Sequence, residues 1–456
     1  MPRIVVIGGV AAGMSAASQA KRRMRGAEVI AFERGPHVSY GACSMPYNIE
    51  DPNREMADLV VITPQRFRDE RGVDVRIHHE VVAIETAAKQ IKVHDIIGEE
   101  SYKLKYDELI IATGASPSEP PIEGLDLPGV FFLRELRHGQ AIKSFLVDAE
   151  PREAVIIGAG YIGMEMAEAL TQRGLKVTVL EMMGQMIPGW HPEVADRVRE
   201  EIEGHGVAVE THVEVHQIES RSGGERETLE VHTSNRAFPA DMVLVSVGVR
   251  PNIALAHAAG IRIGETGAIA VDAHMRTSTP HVFAAGDCTQ AFHLVSNRPT
   301  YMPLGDTANK QGKVAGANAA GADERFRGIV GSAGFKVFDL EVARTGLGQQ
   351  EIDELGLSAV VAPSKHASFA HGYPGAAPIH TVLFVEVPSG RLLGAQMVGA
   401  GVVGKRIDVL ATALHAGMTV HDVEGLDLTY APPISPVYDP ILIAATVAKK
   451  AVTTKG

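Results

Sequence analysis

The stretch AVIIGAGYIGMEMAEAL, Ala154 to Leu170, constrains this chain more than any other. It reads as a buried strand, a Gly-rich turn and a helix, and Gly158, Gly160 and Gly163 complete a G-x-G-x-x-G spacing. Such glycines let the backbone turn tightly against a pyrophosphate, which the free N–H groups and dipole of the helix N-terminus attract. The next strand, KVTVLE, ends at Glu181, 23 residues after Gly158. A carboxylate there accepts hydrogen bonds from an adenosine 2′-hydroxyl and repels a 2′-phosphate. Met182, Met183 and Gly184 bring no arginine, so NADH is expected over NADPH.

The pattern also opens the chain, at RIVVIGGVAAGMSAASQAKRR, with Gly8, Gly9 and Gly13 and with Val10 in place of the second fingerprint glycine. Glu33 follows 25 residues after Gly8, placed for both hydroxyls of a ribose. Two dinucleotide sites suggest one cofactor held tightly and one that exchanges. YDELIIATGASP (Tyr106 to Pro117) is echoed by DMVLVSVGVRPN (Asp241 to Asn252) about 135 residues later, and both read as crossings between two nucleotide domains. TSTPHVFAAGDC delivers Asp287 at a Gly-preceded turn, placed for a ribityl hydroxyl. In YMPLGDTANKQGKVAGANAAG, Gly and Ala at helical spacing are expected to let a helix pack close to a cofactor ring.

At 456 residues and 45% apolar content the chain allows roughly two to four domains. A net charge of −12 argues against nucleic-acid or membrane-surface binding and for a small-molecule partner. Two cysteines give no disulfide framework, the first residues run straight into a strand, and no apolar run is long enough for a bilayer, so a cytoplasmic location is expected. Cys43, in SYGACSMPY, lies a few residues beyond the strand Val29 to Gly35. It is either a reactive thiol beside the N-terminal dinucleotide or a small buried hydrophobe. From about Val330 the composition shifts to alternating strands, HTVLFVEV and RLLGAQMVG, then a helical stretch, VLATALHAGM. The chain ends soon after ILIAATVAKK, so no appended rhodanese-like module is expected.

The order of these motifs resembles the pyridine nucleotide–disulfide oxidoreductases over essentially the whole chain. The resemblance implies an α/β fold of two Rossmann-like dinucleotide-binding domains, each a three-layer ββα unit, with a C-terminal α+β dimerisation domain. By that likeness residues 1–115 and 250–325 bind FAD, 116–249 bind NAD and 326–456 dimerise. One FAD per subunit is held tightly by Gly8, Gly9, Gly13, Glu33, Ala112, Gly114 and Asp287, and NADH, the electron donor, by Gly158, Gly160, Gly163 and Glu181. Tyr161 resembles the family's gating aromatic and Glu165 the carboxylate that approaches flavin and nicotinamide.

The cysteine selects a branch. Asn48 stands where a C-x₄-C pair needs its second cysteine, the NAD segment has no C-x-x-C, and Ala11 stands where peroxidase and oxidase members carry a histidine. Ser39, Cys43, Pro46 and Tyr47 fit the S-x-x-x-C-x-x-P-[YF] pattern of coenzyme A disulfide reductases and related persulfide and polysulfide reductases. This resemblance implies that Cys43 carries a mixed disulfide with coenzyme A and that its thiol pKa is lowered. It places coenzyme A against Ser15, Gln19, Arg22, Ser39, Arg71 and Asn309, of which Gln19, Arg22 and Arg71 lie in the basic stretches QAKRRMR and RFRDER. Ala42 departs from the usual asparagine. The only His-Pro is His191-Pro192, so Tyr430 and Tyr373 are the implied proton donors, in a homodimer whose active site is shared. No metal is expected. The alternatives are an NADH-dependent sulfur or polysulfide reductase, an NADH oxidase, or, in a different class, a redox-sensing NADH-binding flavoprotein with Cys43 inert.

Overall fold

A computed structural model gives the structure over residues 1–221 and 228–455. Its α-helices, in chain order, are α1 (Ala11–Arg23), α2 (Met45–Glu50), α3 (Pro64–Arg71), α4 (Leu136–Asp148), α5 (Tyr161–Gln172), α6 (Pro192–Gly204), α7 (Ala254–Ala258), α8 (Gly305–Ala319), α9 (Gln349–Glu354), α10 (Val403–His415), α11 (Val420–Glu424) and α12 (Pro440–Lys455).

The strand Arg3–Ile7, apolar from Ile4 on, forms the middle of a five-stranded parallel sheet, in the order Val282–Ala284, Glu108–Ile111, Arg3–Ile7, Glu28–Phe32, Asp74–Arg76. A strand buried on both faces can afford no polar alternation. One face packs on α1 and α8, the other on an antiparallel meander of His79–Glu85, Gln90–Asp95 and Glu100–Lys105. The second fingerprint builds the same object. Glu153–Ile157 is central in the parallel order Ala208–Thr211, Lys176–Glu181, Glu153–Ile157, Met242–Val245, Val130–Phe132. Its meander is Val215–Arg221, Thr228–Thr233 and Ala237–Ala240.

The two crossings run side by side: Ala115–Pro117 pairs antiparallel with Val249–Pro251, and Asn252 N–H donates to Gly114 O at 2.9 Å. The Gly-Ala helix differs from its expected role. A Cβ on Gly312 or Gly316 of α8 would overlap the carbonyl oxygen of Ala12 or Ala16 of α1, so these glycines serve backbone contact between the helices rather than approach to a ring.

The C-terminal part is an antiparallel sheet ordered Ala333–Val337, Leu340–Gly346, Leu392–Gly399, Pro378–Glu386, Ala359–Ala367. Leu392–Gly399 is buried along its whole length, and α10 and α12 pack on this sheet. The same core runs on into α5 and α6 of the second nucleotide unit, making an α+β layer fused to it. Among the described residues no helix is long and apolar enough to cross a membrane.

Candidate active site

The two turns are near copies. Gly8 and Gly158 sit at φ +112° and +102°, where only glycine is at ease, and donate to Phe32 O and Leu180 O, each at 2.8 Å. A Cβ on Gly13 would overlap Gly8 O, and one on Gly163 would overlap Gly158 O. Glu33 accepts the N–H groups of Gly9 and Gly35, each at 2.8 Å, and Glu181 those of Ala159 and Met183, also each at 2.8 Å. Each carboxylate is therefore aimed by backbone and keeps lone pairs for ribose hydroxyls. Burial raises the Glu33 pKa, and the two N–H donors pull it back.

Val10 and Gly160 precede α1 and α5, and neither helix has a side-chain cap or an acidic residue in its first turn. Among the described residues nothing lies within 4 Å of a Cβ built on Gly160 or Gly114. Uncapped N–H groups at both helix N-termini fit a pyrophosphate at both turns. Ala112 closes the first turn, its N–H donating to Ile7 O at 2.8 Å.

The segment carrying Cys43 is tied to that first turn. Ser39 N–H donates to Gly9 O at 2.8 Å from a left-handed backbone (φ +50°), and Gly41 N–H donates to Leu59 O at 2.9 Å. A single 3₁₀ turn, Ala42–Ser44, then runs into α2. Cys43 is exposed, and a Cβ at Gly305, the first residue of α8, would lie 4.0 Å from its sulfur. Tyr47 OH donates to Glu165 Oε1 of the second unit at 3.1 Å. Lys143 Nζ donates to the carbonyls of Asn48 at 2.9 Å and Asp51 at 3.0 Å, and to that of Arg54. Asn48 itself is buried and donates to Glu55 O at 2.8 Å.

The expected lowering of the thiol pKa does not come from these groups. Cys43 opens to solvent on one side, yet desolvation on the others is the largest cause raising its pKa, and the Glu165 carboxylate is the next. Arg134 pulls the other way. Burial pushes Glu165 itself up to about 7 against the hydrogen bond from Tyr47.

Arg134 escaped the sequence reading because it belongs to no motif. Its guanidinium pairs with Asp287, 153 residues away, and its Nε donates to Ala115 O at 3.1 Å. Tyr301 OH donates to Asp287 O at 3.0 Å. Tyr161 lies in an aromatic cluster, stacked on Phe335 at 5.3 Å and edge-on to Trp190 at 6.0 Å. His191 is the N-cap of α6, its Nδ1 accepting from Glu193 N–H at 3.3 Å.

Ser15, Gln19 and Arg22 share one face of α1 at i, i+4, i+7. Asn309 donates to Gly305 O at 2.8 Å and accepts from Ser15 Oγ at 2.6 Å, and Arg22 donates to Gln19 Oε1 at 3.0 Å. A polar line thus runs from Gly305, beside Cys43, along α8 and α1. Arg71 of α3 donates to Ser18 Oγ at 3.0 Å. Ser39 lies apart from this line, at the Gly9 turn. Tyr373 and Tyr430 are 39% and 51% exposed, and neither hydroxyl has a hydrogen-bond partner among the described residues. Their loops touch through Ala370 N–H to Pro432 O at 3.3 Å, beside the exposed Ile434, Val437 and Tyr438. Cys288 is fully buried and its thiol donates to Ala285 O at 3.4 Å.

Residues 2–312 match the family described as pyridine nucleotide-disulphide oxidoreductase, and residues 332–440 match that family's dimerisation domain. The chain is 37% identical over 452 residues to the NAD(P)H coenzyme A polysulfide/persulfide reductase of Pyrococcus horikoshii, covering 98% of each. It is 34% identical over 455 residues to the NADH oxidase of Methanocaldococcus jannaschii, covering 99% of this chain and all of that one. The solved NAD-dependent persulfide reductase from A. fulgidus superposes with a TM-score of 0.95 at 39% identity, over 99% of this chain and 84% of that one. The paired turns, the thiol between them and these matches converge: the chain belongs to the pyridine nucleotide-disulphide oxidoreductase family and is an oxidoreductase that uses FAD and NAD(P)H.

Proposed function

We propose that the protein reduces coenzyme A disulfide or coenzyme A persulfide at the expense of NADH, with Cys43 as its one redox-active cysteine. The observation that carries this reading is the contrast between the two thiols: Cys43 is exposed, whereas Cys288 is buried and hydrogen-bonded. With no second thiol to pair with, Cys43 must draw its second sulfur from the substrate. The polar line along α1 and α8, ending in Arg22, supports an anionic arm leading to that sulfur.

Held by the first turn, Glu33 and Asp287, FAD supplies the two-electron chemistry that links a nicotinamide to a thiol. The Cys43 thiolate attacks one sulfur of coenzyme A disulfide. The S–S bond breaks, Cys43 forms a mixed disulfide with one coenzyme A, and the other leaves as a thiolate that takes up a proton. Two electrons from NADH and a second proton then return the Cys43 thiolate and the second coenzyme A thiol. The partner subunit's Tyr430 is the acid for the leaving sulfur, with the partner subunit's Tyr373 beside it. Ionised Glu165 opposes the thiolate, and its protonation removes that opposition.

Cys43→Ser tests this: the variant should retain FAD, be reduced by NADH, and fail to reduce coenzyme A disulfide. Turnover surviving the substitution refutes the reading. A coenzyme A mass increment on Cys43 in the protein as isolated would identify the substrate directly. A persulfide or polysulfide acceptor at the same thiol is the second reading, favoured by the names of the relatives, and kcat/KM across the three substrates separates them.

A further inference from the structure

The loops of Tyr373 and Tyr430 are distant in sequence but meet one buried arginine. Arg406 of α10 is 6% exposed and its partner Asp439 9%. Arg406 Nε donates to Asp439 Oδ2 at 2.9 Å, and a second guanidinium nitrogen donates to Ser368 O at 2.8 Å. Ser368 closes the loop of Tyr373, its N–H donating to Ala377 O at 2.8 Å and its Oγ accepting from Ala377 N–H at 3.1 Å. Asp439 ends the loop of Tyr430: Oδ2 also accepts from Ser435 Oγ at 2.8 Å, and Oδ1 accepts from Ile441 N–H at 2.9 Å, capping α12. One planar fork thus grips both loops from below while their tips, with both phenols, stand in solvent.

A buried ion pair is a poor source of stability, since a well-packed apolar pair often does as well, but it fixes geometry. Here a third guanidinium nitrogen is buried with no acceptor among the described residues, so the arrangement carries a cost and keeps the fork. We infer that Arg406 and Asp439 are positioning residues that hold Tyr373 and Tyr430 as one unit for delivery to the partner subunit's Cys43. This rests on the proposed role of the tyrosines.

The test uses the FAD-loaded dimer. Arg406→Met should lower coenzyme A disulfide turnover by about 10²-fold, the size of loss that follows a 1 Å misplacement, while flavin reduction by NADH keeps its rate. Added to Tyr430→Phe it should cost little more. Subunits with Arg406→Met mixed with Cys43→Ser subunits should recover activity, because one site in the heterodimer is intact. Mixed with Tyr430→Phe subunits they should not. If Arg406→Met does not assemble, Arg406→Met/Asp439→Asn, which leaves no unpaired buried charge, takes its place with the same expectations. Full turnover in the variant, slower flavin reduction by NADH, or no recovery with Cys43→Ser after verified exchange overturns the positioning role. Full turnover in Tyr430→Phe instead overturns the proposed role of the tyrosines on which this rests.

Discussion

Glu165→Gln removes a charge from the boundary between the two nucleotide units and keeps the side chain's shape. Burial is the main cause lifting Glu165 from an ordinary 4.5 to about 7, Glu168 adds to it, and the Tyr47 hydroxyl opposes it. A difference of that size is worth about 3 kcal/mol at about 1.4 kcal/mol per pH unit. Because the folded pKa lies above the unfolded one, the carboxyl's contribution is fully present below pH 4.5 and lost as pH rises through 7. The variant, always neutral, should therefore gain on the wild type by up to about 3 kcal/mol between pH 4.5 and pH 8. A multidomain chain does not unfold in one step, so the carboxyl is best followed directly. Difference infrared spectroscopy should show a protonated carboxyl band that fades near pH 7 and is missing from the variant. Tyr47→Phe should move that titration upward, since the phenol donates to the ionised form. Cys43 supplies a second readout: alkylation should be faster in the variant above pH 7 and unchanged below pH 5, because Glu165 raises the thiol pKa only when charged. A Glu165 carboxyl already ionised at pH 5.5, or identical alkylation profiles, would refute the reasoning.

Glu181→Ala should narrow the preference for NADH over NADPH by about tenfold or more, because the 2′-phosphate no longer meets a like charge, and an unchanged ratio of kcat/KM values speaks against it. Gly312→Ala must force α8 away from the Ala12 carbonyl, at a cost near the upper end of overpacking, about 3 kcal/mol; a melting temperature equal to the wild type's would contradict the close contact. Lys143→Met strips a donor from the carbonyls of Asn48, Asp51 and Arg54 and should cost about 1–3 kcal/mol, seen as faster hydrogen exchange over residues 45–54.

The two turns were legible in the sequence because steric exclusion writes them there. Gly13 and Gly163 tolerate no Cβ against the turn carbonyl, so the spacing itself is the signal. The parallel sheets followed from apolar runs such as Ile4 to Ile7. What the sequence did not disclose are contacts between residues with no shared pattern. Arg134 reaches Asp287 across 153 positions, Lys143 caps carbonyls of a loop about 90 residues before it, and Arg406 gathers two loops. The direction of the Cys43 shift was hidden for a related reason: desolvation depends on what surrounds a thiol in space, and Glu165, the charge that most opposes the thiolate, is 122 residues away.

The antiparallel ribbon of Ala115–Pro117 and Val249–Pro251 has a genetic consequence. The strands of the first parallel sheet all lie outside residues 118–248, and those of the second all lie inside them. Partners in such a ribbon stand only about 5 Å apart, so the polypeptide departs and returns at one spot. The second unit is in this sense a cassette: rejoining the cut ends would take a single short hairpin and remove no strand of the first sheet. What the excision would take away includes Arg134, Lys143, Glu165 and Arg173, side chains through which the cassette grips Asp287 and the helix that follows Cys43.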